Sequence, residues 1–203
     1  MDTSETNITF QDGNGRKISA ILAEPGEGTD RAVILAHGFL SNKNSTTNHT
    51  LTALLLPAGM STFRFDWFGM GQTEGQFADI TVGACCEQLE RALAWLQKRN
   101  YARLGCTGSS FGELITTLVA GKCPELSAIG LKCPVPDFPE MLQLEFGETS
   151  MNHWKQTDTI PNITGGTEPI PLNFSFYEDC QVRRLQSCRN HRGSSGHCSW
   201  GWR

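Results

Sequence analysis

An α/β fold, a mostly parallel sheet with helices on both faces, is what this sequence predicts, and three observations predict it. From residue 31 onward, strand-like segments alternate with segments of helical periodicity, the pattern of repeated β–α units. Arg31 to Ala36 is a nearly continuous apolar run, as expected of a strand buried on both faces of a parallel sheet. Val82, Cys85, Leu89, Leu93 and Leu96 recur at three- and four-residue steps, with Glu87, Glu90, Arg91 and Lys98 elsewhere, which marks a helix with one apolar stripe.

The elements follow in order. Asn7 to Gln11 and Lys17 to Ala23 alternate as strands, joined at Asp12-Gly13-Asn14-Gly15, a strong hairpin turn signal. That turn lacks the later oxygen ligands a calcium loop needs. After the strand at Arg31 to Ala36, His37-Gly38-Phe39 opens a loop. Thr46 to Leu56 reads as a helix broken by Pro57 and ended by Gly59. Ser61 to Asp66 is a strand leading into the glycine-spaced loop Trp67 to Gly75. The striped helix comes next, then a short strand at Ala102 to Thr107, a helix from Glu113 to Ala120, and a strand at Ala128 to Cys133. Pro134 to Cys180 breaks the rhythm with six prolines and six aromatic residues, and it reads as a lid over the C-terminal edge of the sheet. The expected division is therefore a core at 1–133, a lid at 134–180 and a tail at 181–203.

A chain of 203 residues can bury one continuous core, and its 38% hydrophobic and 19% charged residues fit a soluble globular protein. No apolar run reaches membrane-spanning length, so no membrane association is expected. The acidic start, Met1 to Glu5, is the opposite of a secretory signal and points to the cytoplasm. The sequons at Asn7, Asn44, Asn48, Asn162 and Asn173 are then chance matches. In a reducing compartment the eight cysteines read as buried free thiols, with Cys106 and Cys133 behaving as small hydrophobes in strands.

Gly108-Ser109-Ser110-Phe111-Gly112 carries the chemistry. It has the G-x-S-x-G spacing, with strand before and helix after, which forces a tight turn that projects the serine outward. A serine hydroxyl becomes nucleophilic only when a histidine takes its proton and a carboxylate orients that histidine. The oxyanion that forms needs backbone N–H donors. One is expected from Phe111, the residue after the nucleophile, and the other from Phe39 in the loop after an earlier strand. His37 precedes the nucleophile and is expected to hold that loop by hydrogen bonds. No cofactor or metal is called for.

These motifs resemble the α/β-hydrolases, and within them small bacterial esterases related to feruloyl and cinnamoyl esterases, monoacylglycerol lipases and serine aminopeptidases. The matching pieces are the N-terminal hairpin, His37-Gly38-Phe39, Phe63 to Gly71 and Gly108 to Gly112, spanning roughly residues 6 to 133. The resemblance implies an α/β-hydrolase fold lacking its last two strands. It implies ester hydrolysis through an acyl-enzyme on Ser110, amide or peptide hydrolysis being the alternative within the fold, and a non-catalytic remnant or binding protein the alternative outside it. It gives Asp66 and its glycines a loop-shaping role. The aromatic lid suggests a small-molecule ester with an apolar or aromatic group. Glu113 departs from the pattern, since such esterases usually place a small residue there. It either crowds the helix start or points to solvent and favours the helix N-terminus.

In that family the acid and the histidine follow the serine. After Cys180, however, the chain holds five arginines and no acid, with no strand or helix periodicity. A basic tail of this kind could grip nucleic acid, but no such partner is expected, because a shifted reading frame explains the composition better. Back-translation of 180–203 with a one-base shift permits an apolar strand followed by His-Gly-Asp-Gly. The expectation is a frameshift near Cys180 followed by premature termination, with the tail unstructured and turnover weak or absent. Cys180, Cys188, His191, His197 and Cys198 match no usual zinc spacing. Asp137, His153, Asp158 and Asp179 are the remaining candidates for a triad, and none sits where the pattern requires.

Overall fold

A computed structural model describes the backbone of residues 3–135 and 137–191. Asp12 folds its first turn. The Asp12 Oδ1 accepts from the amides of Asn14 and Arg16, both at 2.9 Å, and Gly15 takes φ 78°, a left-handed value that glycine adopts without strain. The hairpin closed by this turn consists of β1 (Thr3–Gln11) and β2 (Lys17–Pro25), paired antiparallel from Gln11–Lys17 to Thr3–Pro25.

The alternation expected from the sequence follows: β3 (Arg31–Ala36), α1 (Thr46–Leu55), β4 (Ser61–Phe65), α2 (Val82–Gln97), β5 (Arg103–Ser109), α3 (Phe111–Ala120) and β6 (Leu126–Lys132). The six strands form one sheet in the order β1-β2-β4-β3-β5-β6. The hairpin joins through an antiparallel β2–β4 pair, and β4, β3, β5 and β6 are mutually parallel. Period-2 alternation along β4 sends neighbouring side chains to opposite faces. The Thr62 hydroxyl and the Arg64 guanidinium meet the Thr52 hydroxyl of α1 on one face. On the other, the Phe63 ring stacks on Trp95 of α2 with centroids 5.0 Å apart. Helices thus cover both faces, as expected.

The sheet ends at β6, whose outer edge pairs with no strand among the described residues. Ser127, Ala128, Leu131 and Lys132 of this strand are exposed.

The segment expected as a lid has more structure than its prolines suggested. It contains α4 (Phe138–Thr157), a two-residue β7 (Thr159–Ile160) paired with β8 (Ile170–Pro171), and the start of α5 (Ser175–His191). Asp137 caps α4 by accepting from the Glu140 amide at 3.1 Å, and Pro139 sits in the first turn, where its missing N–H costs nothing. Gly147, at φ 70° and ψ 168°, divides α4 into two helical pieces. Trp154 centres a small core. Its indole N–H donates to the Leu172 carbonyl at 2.6 Å, and the rings of Phe146, Phe174 and Tyr177 surround it.

Helix α5 runs past Cys180 to His191, where the sequence showed no helical periodicity. Buried Phe176, Tyr177 and Cys180 anchor its first turns, and a helix once nucleated extends readily through arginine, glutamine and leucine. The rest of the basic stretch, including His197 and Cys198, lies outside the described residues.

Cys85, Cys86, Cys106 and Cys180 are buried free thiols, and Cys123 is half-buried. Cys133 departs from expectation. It lies just past β6, exposed, with φ 54°, because the chain turns there toward Pro134. No described helix is long and apolar enough to cross a membrane.

Candidate active site

Ser110 stands between β5 and α3 at φ 51° and ψ −115°, a backbone conformation that a non-glycine residue holds only under constraint from its surroundings. The constraint is visible in the flanking glycines. A Cβ on Gly108 would strike the Gly112 carbonyl, and one on Gly112 would strike the Ala36 carbonyl while lying 2.6 Å from that of His37. Both are buried crossing points that only hydrogen can occupy, so α3 comes down directly onto the end of β3. The Ser110 amide donates to the Lys132 carbonyl at 3.0 Å, tying the turn to β6. Its half-buried side chain makes no hydrogen bond to the described residues.

Gly38 brings the loop after β3 against this turn. A Cβ there would sit 3.3 Å from the Ser109 carbonyl and 3.7 Å from Ser110 Cβ. Phe39 follows, beside Leu40, which takes φ 51°. The amides of Phe39 and Phe111 donate to no acceptor among the described residues. Their rings lie 5.5 Å apart and join those of Phe77, Phe138 and Phe176. Phe138 belongs to α4 and Phe176 to α5, so both helices reach the Ser110 turn through aromatic contacts with Phe111.

His37 is buried and fully engaged. Its Nε2 accepts from the Trp67 amide at 3.3 Å, which leaves Nδ1 protonated to donate to the Gly38 carbonyl at 2.8 Å. The Trp67 indole donates back to the His37 carbonyl at 2.8 Å. Burial pushes the imidazole pKa down to about 4, so the ring is neutral near pH 7. Both nitrogens hold the loop, as the sequence suggested.

Asp66, also fully buried, organises the next loop. It accepts from the Lys43 amide and ammonium, each at 2.6 Å, and from the Gln72 amide at 2.8 Å. Gly71 at φ 55° presses against its carboxylate so closely that any side chain would collide. Lys43 escaped the sequence reading, as did Gln88, whose side-chain oxygen accepts from the Phe68 amide at 2.9 Å. Gln88 carried a usable signal: it lies on the apolar stripe of α2, three residues after Cys85, and a polar group there must find a buried partner.

Structural comparison places this arrangement among known folds. A hydrolase candidate from Agrobacterium vitis S4 superposes with a TM-score of 0.74 at 22% identity, over 92% of this chain and 74% of that one. The mouse alpha/beta hydrolase domain-containing protein 10 gives 0.68 at 18% identity, over 88% and 70%. Est1E from Butyrivibrio proteoclasticus, solved with ferulic acid bound, gives 0.68 at 18% identity, also over 88% and 70%. The chain has the α/β-hydrolase fold. No protein-family model and no curated protein matches its sequence.

Within this fold, Glu113 behaves differently from either expectation. It neither crowds the helix start nor faces solvent. It is 6% exposed, accepting from the Thr117 hydroxyl at 3.0 Å and from the Val135 amide at 3.1 Å. The carboxylates and the histidine of the 137–179 stretch form no hydrogen bond to Ser110 among the described residues. Asp137 caps α4, and Asp158 ends it and accepts from the Phe174 amide at 2.7 Å. His153 is exposed on α4. Asp179 accepts from the Gly83 amide at the start of α2 and from Arg183. No described histidine is hydrogen-bonded to Ser110. Cys106, close to the elbow on β5, is no substitute nucleophile, because burial pushes its thiol up to about 12. Two clefts of about 380 and 440 Å³ open at the opposite end of the sheet, around Pro25 to Thr29, and share no lining residue with the elbow.

Proposed function

We propose that this chain belongs by lineage to the serine hydrolases and that Ser110 is the position of an acyl-enzyme in carboxylic ester cleavage. Ser110 Oγ attacks the ester carbonyl, the amides of Phe39 and Phe111 stabilise the oxyanion, the alcohol departs, and water releases the acid. The observation that carries the reading is the backbone of Ser110, a strained φ of 51° at a strand-to-helix turn whose glycines admit no side chain. The open amides of Phe39 and Phe111 support the oxyanion role, and the phenylalanine cluster beside them favours an apolar or aromatic substrate group.

A second reading, a non-catalytic remnant or binding protein, draws on the engagement of His37 and on the lid carboxylates having other partners. A serine that meets no histidine among the described residues is left with oxyanion stabilisation alone. Loss of the histidine costs roughly 10⁴- to 10⁶-fold in turnover and leaves about 10³-fold over water.

The test is covalent labelling by a fluorophosphonate probe, in the wild type and in Ser110→Ala. Labelling that the substitution abolishes supports the nucleophile, and a wild type that stays unlabelled favours the remnant. A panel of p-nitrophenyl esters against matched anilides then separates ester from amide cleavage.

A further inference from the structure

We infer that Glu113 is a positioning residue, a latch that sets the start of the lid on the nucleophile turn. Its consequence for substrate rests on the reading of Ser110 given above, whereas its structural action does not.

The segment leaving β6 is fastened to the elbow at two points. Lys132, the last residue of β6, accepts from the Ser110 amide at 3.0 Å. Three residues later, Val135 donates its amide to Glu113 Oε2 at 3.1 Å. Between them the chain makes a sharp turn, with Cys133 held at φ 54°, an unfavourable value for a residue with a side chain. Such a turn needs fixing on both sides, and the second fixing point is a side chain rather than backbone.

Glu113 is suited to that task. It lies in the first turn of α3, and its own amide donates to the Ser110 carbonyl at 2.8 Å, so its backbone moves with the serine. The side chain is buried, and each carboxylate oxygen has a partner, Thr117 on one side and Val135 on the other. A buried carboxylate persists only when its oxygens are satisfied, which makes the Val135 contact hard to give up. Immediately beyond Val135, Asp137 caps α4, and Phe138 of that helix packs its ring 5.7 Å from Phe111. The latch therefore determines where Phe138 meets the residue after the nucleophile. Glutamine can keep the arrangement, since its oxygen accepts from Val135 and its amide nitrogen donates to Thr117. Alanine takes away the acceptor that holds the half-buried Val135 amide.

Hydrogen–deuterium exchange on the full chain tests this, comparing wild type with Glu113→Gln and Glu113→Ala. In E113A, peptides covering 133–146 are expected to exchange about tenfold faster while those of β3 and β5 stay protected, and E113Q is expected to match the wild type. Val135→Pro removes the donor and leaves the carboxylate. It is expected to loosen the same peptides, and it decides the matter if E113A does not fold. Unchanged exchange over 133–146 in these variants, loosening spread evenly across the sheet, or E113Q behaving like E113A overturns the latch. The dependent claim is read by labelling rates. E113A is expected to slow an aromatic fluorophosphonate about tenfold and a small alkyl one less than about twofold, with E113Q restoring both. A wild type that takes no label sinks the reading of Ser110 and leaves the exchange result to stand alone. Labelling that E113A slows equally for both probes overturns the lid's part in selecting substrate.

Discussion

The Lys43 ammonium lies 2.6 Å from the Asp66 carboxylate, and both side chains are withdrawn from water. This pair joins the loop after β3 to the loop after β4, the two loops that shape the mouth of the elbow. Removing the ammonium leaves the Asp66 carboxylate buried with two backbone N–H donors but no counter-charge. Lys43→Met is therefore expected to lower unfolding free energy by about 3–5 kcal/mol, and the double variant with Asp66→Asn to recover part of it. Urea unfolding measures both. A loss below about 1 kcal/mol for K43M means that water reaches Asp66 and the pair is dispensable.

The elbow stores strain. Glycine adopts the conformation of Ser110 freely, so Ser110→Gly is expected to raise stability by about 1 kcal/mol, the relief of strain exceeding the added freedom of the unfolded chain. The same substitution ends covalent labelling. Denaturant unfolding of S110G against S110A separates backbone relief from loss of the hydroxyl, and equal stabilities for the two argue against strain.

Gly112 and Gly121 lie near opposite ends of α3 and make a controlled comparison. Alanine at 112 collides with the carbonyls of Ala36 and His37, whereas at 121 the nearest atom is 3.8 Å away and φ is −65°. Gly112→Ala is expected to cost about 1–3 kcal/mol, and Gly121→Ala to stabilise by about 0.5 kcal/mol. Thermal unfolding of the two variants checks the difference in sign.

His37 gives stability a pH dependence. Burial, the largest influence, lowers its pKa from 6.5 in the unfolded chain to about 4 in the folded one. Between those values the unfolded state binds the extra proton, so stability is fully present above about pH 6.5 and falls as pH drops toward 4. The contribution is on the order of 3 kcal/mol. Unfolding free energies measured from pH 7.5 to 4.5 are expected to decline in the wild type and to decline less in His37→Gln. Parallel profiles remove His37 as the cause.

Much of this architecture was legible in the residues because the relevant signals are local. Arg31 to Ala36 announces a strand between helices, and the stripe from Val82 to Leu96 announces α2. The glycines at 108 and 112 announce a turn that needs their hydrogens. What stayed hidden depends on partners distant in sequence. Glu113 meets Val135 22 residues away, and Lys43 meets Asp66 23 residues away; neither spacing has a pattern. Helix α4 was hidden because prolines flank it, Gly147 interrupts its phase, and few of its residues are buried. The end of α5 was hidden for another reason: its helicity is inherited from the anchored turn at Phe176 to Cys180.

The bond from the Ser110 amide to Lys132 makes the shape of the turn depend on β6, an edge strand among the described residues. Strands that are held on one side only are the first to fray on warming. Labelling at Ser110 is therefore expected to be lost at a lower temperature than that at which the sheet as a whole unfolds. The heat at which labelling disappears reports on β6, while calorimetry reports on the rest.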